Sequence, residues 1–126
     1  VIARTDVGVI ELDLDGDGDT RTGWVVLYLH VATRDRAPVG TVLVAGQRLG
    51  HPSCEGGTTT GTHIHIARKY NGEWIPADGV LAFNLEGWIA HNGDERYAGT
   101  LTRFSQTVVA SSNATQAGYI TAEKGE

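Results

Sequence analysis

The tightest constraint on this chain is the alternation that closes residues 58–68, T-T-T-G-T-H-I-H-I-A-R. From Thr62 onward, His63 and His65 interleave with Ile64 and Ile66, and no breaker intervenes before Asn71-Gly72. A two-residue period marks a β-strand, whose side chains point alternately to opposite faces. Residues i and i+2 then stand on one face about 7 Å apart, so both imidazoles look into one space and both isoleucines into the other. Neutral imidazole is a ready zinc ligand and titrates near neutrality, so such a pair can bind a metal or move protons. Two hydrogen-bonded structural histidines have the same spacing, so the rest of the chain has to decide between them.

The same period recurs along the chain. Residues 23–31 (G-W-V-V-L-Y-L-H-V) form its most strand-like run. Counting by twos puts Trp24, Val26, Tyr28 and His30 on one face and Val25, Leu27, Leu29 and Val31 on the other. Residues 7–14 and 39–44 predict further strands, and Asn71-Gly72 predicts a hairpin that returns through Glu73-Trp74-Ile75. Strand-like pieces flank Gly87, and residues 97–104 predict the last clear strand. The 17 glycines suit an all-β chain rich in tight turns. No well-capped helix, internal repeat or linker interrupts the pattern. A length of 126 residues suits one core, with a β domain over residues 1–104 and a C-terminal tail over 105–126.

Charge and hydropathy exclude two partner classes. A net charge of -5, from 10 Lys+Arg against 15 Asp+Glu, leaves no basic cluster to neutralise nucleic-acid phosphates. No apolar run approaches the ~20 residues of a membrane span. Asp13, Asp15, Asp17 and Asp19 alternate with Leu14, Gly16 and Gly18, like the first half of a calcium loop. Trp24 stands where an EF-hand needs its bidentate glutamate, so an exposed acidic hairpin loop is expected first and bound calcium second. The single Cys54 is expected as a buried thiol, then a free one, then half of a bridge to a segment outside these residues. A chain without methionine is expected to be a processed product or a piece of a longer protein. His51 reads as a surface residue in the loop 51–60, and Asn113-Ala114-Thr115 fits an N-glycosylation acceptor.

In order, the chain carries Tyr28-Leu29-His30, then Val39-Gly40-Thr41-Val42 with Gly46-Gln47-Arg48-Leu49-Gly50, then Thr60-Gly61-Thr62-His63-Ile64-His65. This resembles the lysostaphin/LytM-type zinc endopeptidases, in which a Y-x-H strand precedes a G-x-x-V…G-x-x-I-G turn and an S/T-G-x-H-L-H strand follows. The likeness runs from Val1 to about Ile75. It implies a largely antiparallel β-sheet or sandwich of the duplicated hybrid motif kind, with a groove for the metal and without its N-terminal portion. It also implies cleavage of peptide cross-links in peptidoglycan, outside the cytoplasm or in the cell envelope of a bacterium. Carried over by position, His65 matches the metal-ligating histidine. His63 and His30 match the two histidines that flank the zinc-bound water and do acid–base or oxyanion work. Zinc lowers the pKa of its water to about 7.

Two departures bear on activity. The family draws its other two ligands from an upstream H-x-x-x-D motif, and no histidine precedes His30. Residues 51–57 also differ from the family's short glycine-threonine turn. Residues 1–126 alone are therefore expected to hold zinc poorly and hydrolyse little, with an N-terminal segment as the missing partner. Two other roles fit the same residues. One is a non-catalytic remnant that binds cell wall. The other is a processed structural subunit of an extracellular homopolymer, in which residues 107–110 add a strand to a neighbour's sheet edge. The geometric expectation on which this reading rests is that His30, His63 and His65 gather at one mouth of the sheet.

Overall fold

A computed structural model describes residues 1–58, 61–96, 98–110 and 120. The chain is all-β, and among the described residues nine strands form two antiparallel sheets. The first sheet runs in order through β1 (Ile2–Asp6), β2 (Val9–Asp13), β3 (Trp24–Leu29), β4 (His65–Tyr70) and β5 (Glu73–Ile75). The second runs through β6 (Asn84–Leu85), β7 (Trp88–Asn92), β8 (Gly99–Arg103) and β9 (Gln106–Val109). Two compact units contain them, Val1–Ile75 and Pro76–Glu126, a division that no linker-like composition announces.

Turn chemistry explains most of the first sheet. Asn71 and Gly72 both take positive φ, 49° and 81°, which is what a two-residue hairpin turn demands. The expected strand over residues 7–14 is β2, the second half of a hairpin with β1. Val7 is 65% exposed at its tip, the Asp6 carboxylate accepts the Val7 amide, and Gly8 takes φ 72°. Periodicity missed β1 because the turn before β2 holds an apolar Val7.

Residues 39–44, expected as a strand, form none. Gly40 takes φ 89°, and a turn closes from the Thr41 amide to the Pro38 carbonyl. Val39, Val42 and Val44 are all well exposed. Only two backbone hydrogen bonds, Ile2 N to Thr41 O and Gly40 N to Ile2 O, tie the segment to the edge of β1.

The core of this unit lies on one face of the sheet. Ile2, Ile10 and Val31 are fully buried, and Leu12 and Tyr28 pack against them. The long connection between β3 and β4 folds back over that face and contributes Ala37, Leu43, Leu49 and Ile64. Removing one buried methyl group tests it. Ile10→Val should cost about 1 kcal/mol, read as a lower urea midpoint with an unchanged slope.

In the second unit, Glu86 and Gly87 (φ 53° and 92°) turn β6 into β7. β8 begins at Gly99 and ends at Arg103, within the expected strand over 97–104. Part of the expected tail over 105–126 is a strand. Residues 106–109 are β9, paired along β8 from Arg103↔Gln106 to Thr100↔Val109. The Ala110 amide continues the ladder to the Gly99 carbonyl. The segment expected to serve a neighbour's sheet therefore completes its own chain's. The acceptor triplet at 113–115 lies outside the described residues.

Candidate functional site: an imidazole cluster at the end of β3 and β4

β3 and β4 are in register with Tyr28 opposite Ile66 and Leu29 opposite His65. Continued by one residue, this ladder would set His30 opposite Ile64. His30 would then share the core face with Tyr28 and Ile66, and His65 would lie on the other side. The alternation breaks at that residue. His30 takes φ 68°, left-handed backbone that a residue with a side chain seldom adopts. The strand stops at Leu29, and the imidazole turns to the His65 side. Its ring centroid lies 4.6 Å from that of His63 and 6.5 Å from that of His65. The three rings come together, but through a strand break rather than through the alternation that grouped His30 with Trp24, Val26 and Tyr28.

Contacts remote in sequence hold this break. The Val31 amide donates to the Gly8 carbonyl, and Val31 is fully buried. The His30 carbonyl accepts from both the amide and the hydroxyl of Ser53. His30 itself is 4% exposed, and its Nδ1 lies 2.9 Å from the Glu55 carbonyl oxygen. A carbonyl can only accept, so Nδ1 carries a proton, and in the neutral ring the lone pair is on Nε2. The Glu55 side chain accepts from the amide and hydroxyl of Thr33, which anchors the loop that supplies the carbonyl.

His63 follows the same scheme. It lies just before β4, in an isolated bridge with Ser53, and its Nδ1 is 2.8 Å from the Gly61 carbonyl oxygen. Its proton is therefore also on Nδ1. His65 opens β4 on an exposed face. A backbone carbonyl on one ring nitrogen is the usual way a protein fixes the tautomer of a metal-binding or proton-transferring histidine. Ser53, Glu55 and Gly8 escaped detection in the sequence. The Gly56-Gly57 pair was the one available sign that backbone comes close there.

Two neighbouring residues differ from or refine expectation. Cys54 is an exposed free thiol, not a buried one, because the short bridge at Ser53 carries the next residue outward. His51 is half-buried, with Nε2 3.7 Å from the Asp35 carboxylate. It is not part of the cluster.

A catalytic zinc takes three protein ligands at about 2.0–2.2 Å. Among the described residues, the one set of three His, Cys, Asp or Glu whose ligand atoms lie within 4.8 Å of one another is Asp13, Asp15 and Asp17. The histidines do not by themselves make a three-ligand zinc site. The acidic loop does gather hard oxygen donors of the kind calcium prefers. Asp13 is fully buried and accepts the Asp15 and Gly18 amides; Asp15 accepts the Asp17 amide, and Asp17 accepts the Asp19 amide. The Asp17 amide stabilises the Asp15 carboxylate, but the Asp13 carboxylate and lost hydration oppose it, and the net displacement is upward. The Thr22 hydroxyl holds the Asp17 carboxyl below its ordinary range. Asp19 stands apart from the other three, paired with Arg21 at 3.0 Å.

No family model, curated protein or solved structure matches the chain.

Proposed function

We propose that Val1–Ile75 is the C-terminal part of a lysostaphin-type endopeptidase sheet, and that His30 and His63 are its acid–base pair for hydrolysis of peptide cross-links in bacterial cell wall. The observation that supports this is the shared tautomer. Both rings give their Nδ1 proton to a backbone carbonyl, at Glu55 and at Gly61, with ring centroids 4.6 Å apart. Amide hydrolysis needs a base to take a proton from water and an acid to return one to the leaving amine. Two adjacent imidazoles with Nε2 lone pairs can divide that work, one becoming protonated as the other stays neutral. His65, at the start of β4, is the metal-ligand position. Two more ligands would have to come from outside the described residues, so little zinc is retained and little substrate is turned over by this chain alone.

Zinc titration followed by the imidazole resonances tests the cluster. Zinc should shift His30, His63 and His65 together and leave His91 unmoved, and His65→Ala should abolish the response. A response at His91 alone, or none at the trio, would remove the metal-ligand role. Co-sedimentation with purified sacculi tests the substrate separately: the chain should pellet with them without releasing new amino termini. Failure to pellet would remove the cell-wall assignment.

A further inference from the structure

The second unit carries an apolar knob at one end of its sheet and an apolar hole at the other. The knob is Phe104. It follows β8 in a two-residue turn closed by Arg103↔Gln106, and the residue is 94% exposed. Its φ is 54°, and Ser105 is not left-handed. A positive φ at the first turn residue alone is a geometry that glycine normally fills. The other two-residue turns among the described residues, Val7-Gly8, Asn71-Gly72 and Glu86-Gly87, each carry a left-handed glycine as their second residue; Phe104-Ser105 carries none. A large exposed aromatic in left-handed backbone is an outlier of the kind found where a residue serves contact rather than stability. The Arg103 guanidinium lies 5.7 Å from the centre of the Phe104 ring, which makes the tip cationic as well as aromatic.

The hole is a cavity of about 310 Å³ at the other end of β8. Ala77, Ala98, Leu101, Val108 and Ala110 form its apolar wall, and His91 and Asn92 its polar side. A cavity of about 150 Å³ accepts benzene, so this one takes a phenyl ring. The Asp78 carboxylate stands beside it, accepting the Asn92 amide at 2.7 Å and the Gly79 amide at 2.6 Å. One end of the sheet thus offers a ring and a cation, and the other a ring-sized recess and an anion. β8 has five residues, so the two ends lie roughly 13 Å apart.

We infer that a second copy of this chain is the occupant: the Phe104 tip of one molecule enters the hole of the next, with Arg103 beside Asp78. A contact between different patches is heterologous and repeats head to tail. It rests on none of the histidine chemistry.

Sedimentation velocity over a concentration series up to about 1 mM tests it. Wild type should grow past dimer as concentration rises. Phe104→Gly removes the knob and relieves the turn, so it should stay monomeric and melt at a higher temperature than wild type. Ala77→Phe fills the hole and should also stay monomeric. Mixed together, the two variants retain one intact knob and one intact hole, and should form a heterodimer that grows no further. A monomeric wild type, a Phe104→Gly variant that associates like wild type, or a mixture that does not pair would each overturn the proposal.

Discussion

Gly8→Ala should destabilise the chain by about 2–5 kcal/mol and release His30. Gly8 takes φ 72°, and a Cβ there would lie 2.6 Å from both the Glu55 carbonyl oxygen and the Gly56 Cα. Left-handed backbone costs a residue with a side chain about 1–2 kcal/mol. The steric conflict adds to this, because both partners are backbone and cannot rotate away. Gly56 is reciprocally tight, its own Cβ position lying 2.8 Å from the Val7 carbonyl oxygen. The loop that must retreat is the one whose Glu55 carbonyl fixes the His30 tautomer. Gly18 supplies the control. Its φ is 77°, but nothing lies within 4 Å of a Cβ there. Gly18→Ala should therefore cost only the backbone part. Urea melts of both variants, with the His30 ring protons followed by NMR, separate the two contributions. Equal costs for the two variants would show that the β1–β2 turn does not press on residues 55–56.

Glu11→Ala should cost about 3–5 kcal/mol. Glu11 is a charged residue in the middle of β2, 2% exposed, on the face away from the core. Arg4 reaches its Oε2 at 3.0 Å, and Lys69 its Oε1 at 2.5 Å. Lys69 is itself mostly covered, its ammonium 5.0 Å from the centre of the Trp74 ring. Deleting the carboxylate strands that ammonium. Replacing the pair together, Glu11→Leu with Lys69→Met, should cost far less, since apolar groups of similar volume need no partner.

The same site sets an acid limit on stability. Burial pushes the Glu11 carboxyl up, but the Lys69 ammonium and the Arg4 guanidinium outweigh it, and it titrates below its ordinary 4.5. A folded value below the unfolded one means the contribution is complete above about 4.5 and is lost as pH falls through the lower folded value. Stability of wild type should fall across that acid window, and the double variant should fall less. Parallel pH profiles for the two would show that Glu11 is not the group responsible.

Local signals carried much of this architecture. The alternation around His65, the faces of β3 and the Asn71-Gly72 turn are all present where short-range chemistry places them. They are legible because strand pleat and turn type depend on neighbours within a few residues. Residues 39–44 alternate well enough to suggest a strand, yet Gly40 and the turn at Pro38 leave them with two hydrogen bonds to β1. The β8–β9 hairpin was hidden for the opposite reason: its turn is Phe104-Ser105, with none of the usual turn residues at the left-handed position.

By itself the sequence determined that the chain is antiparallel β, and that His63 and His65 are two residues apart at the start of a strand. Only the tertiary structure decided that His30 joins them. Strand register would have put that ring on the far side of the sheet. What reverses it is one left-handed residue, held by the Gly8 carbonyl, by Ser53 and by Glu55. Those partners lie more than twenty residues away along the chain, beyond the reach of any local periodicity.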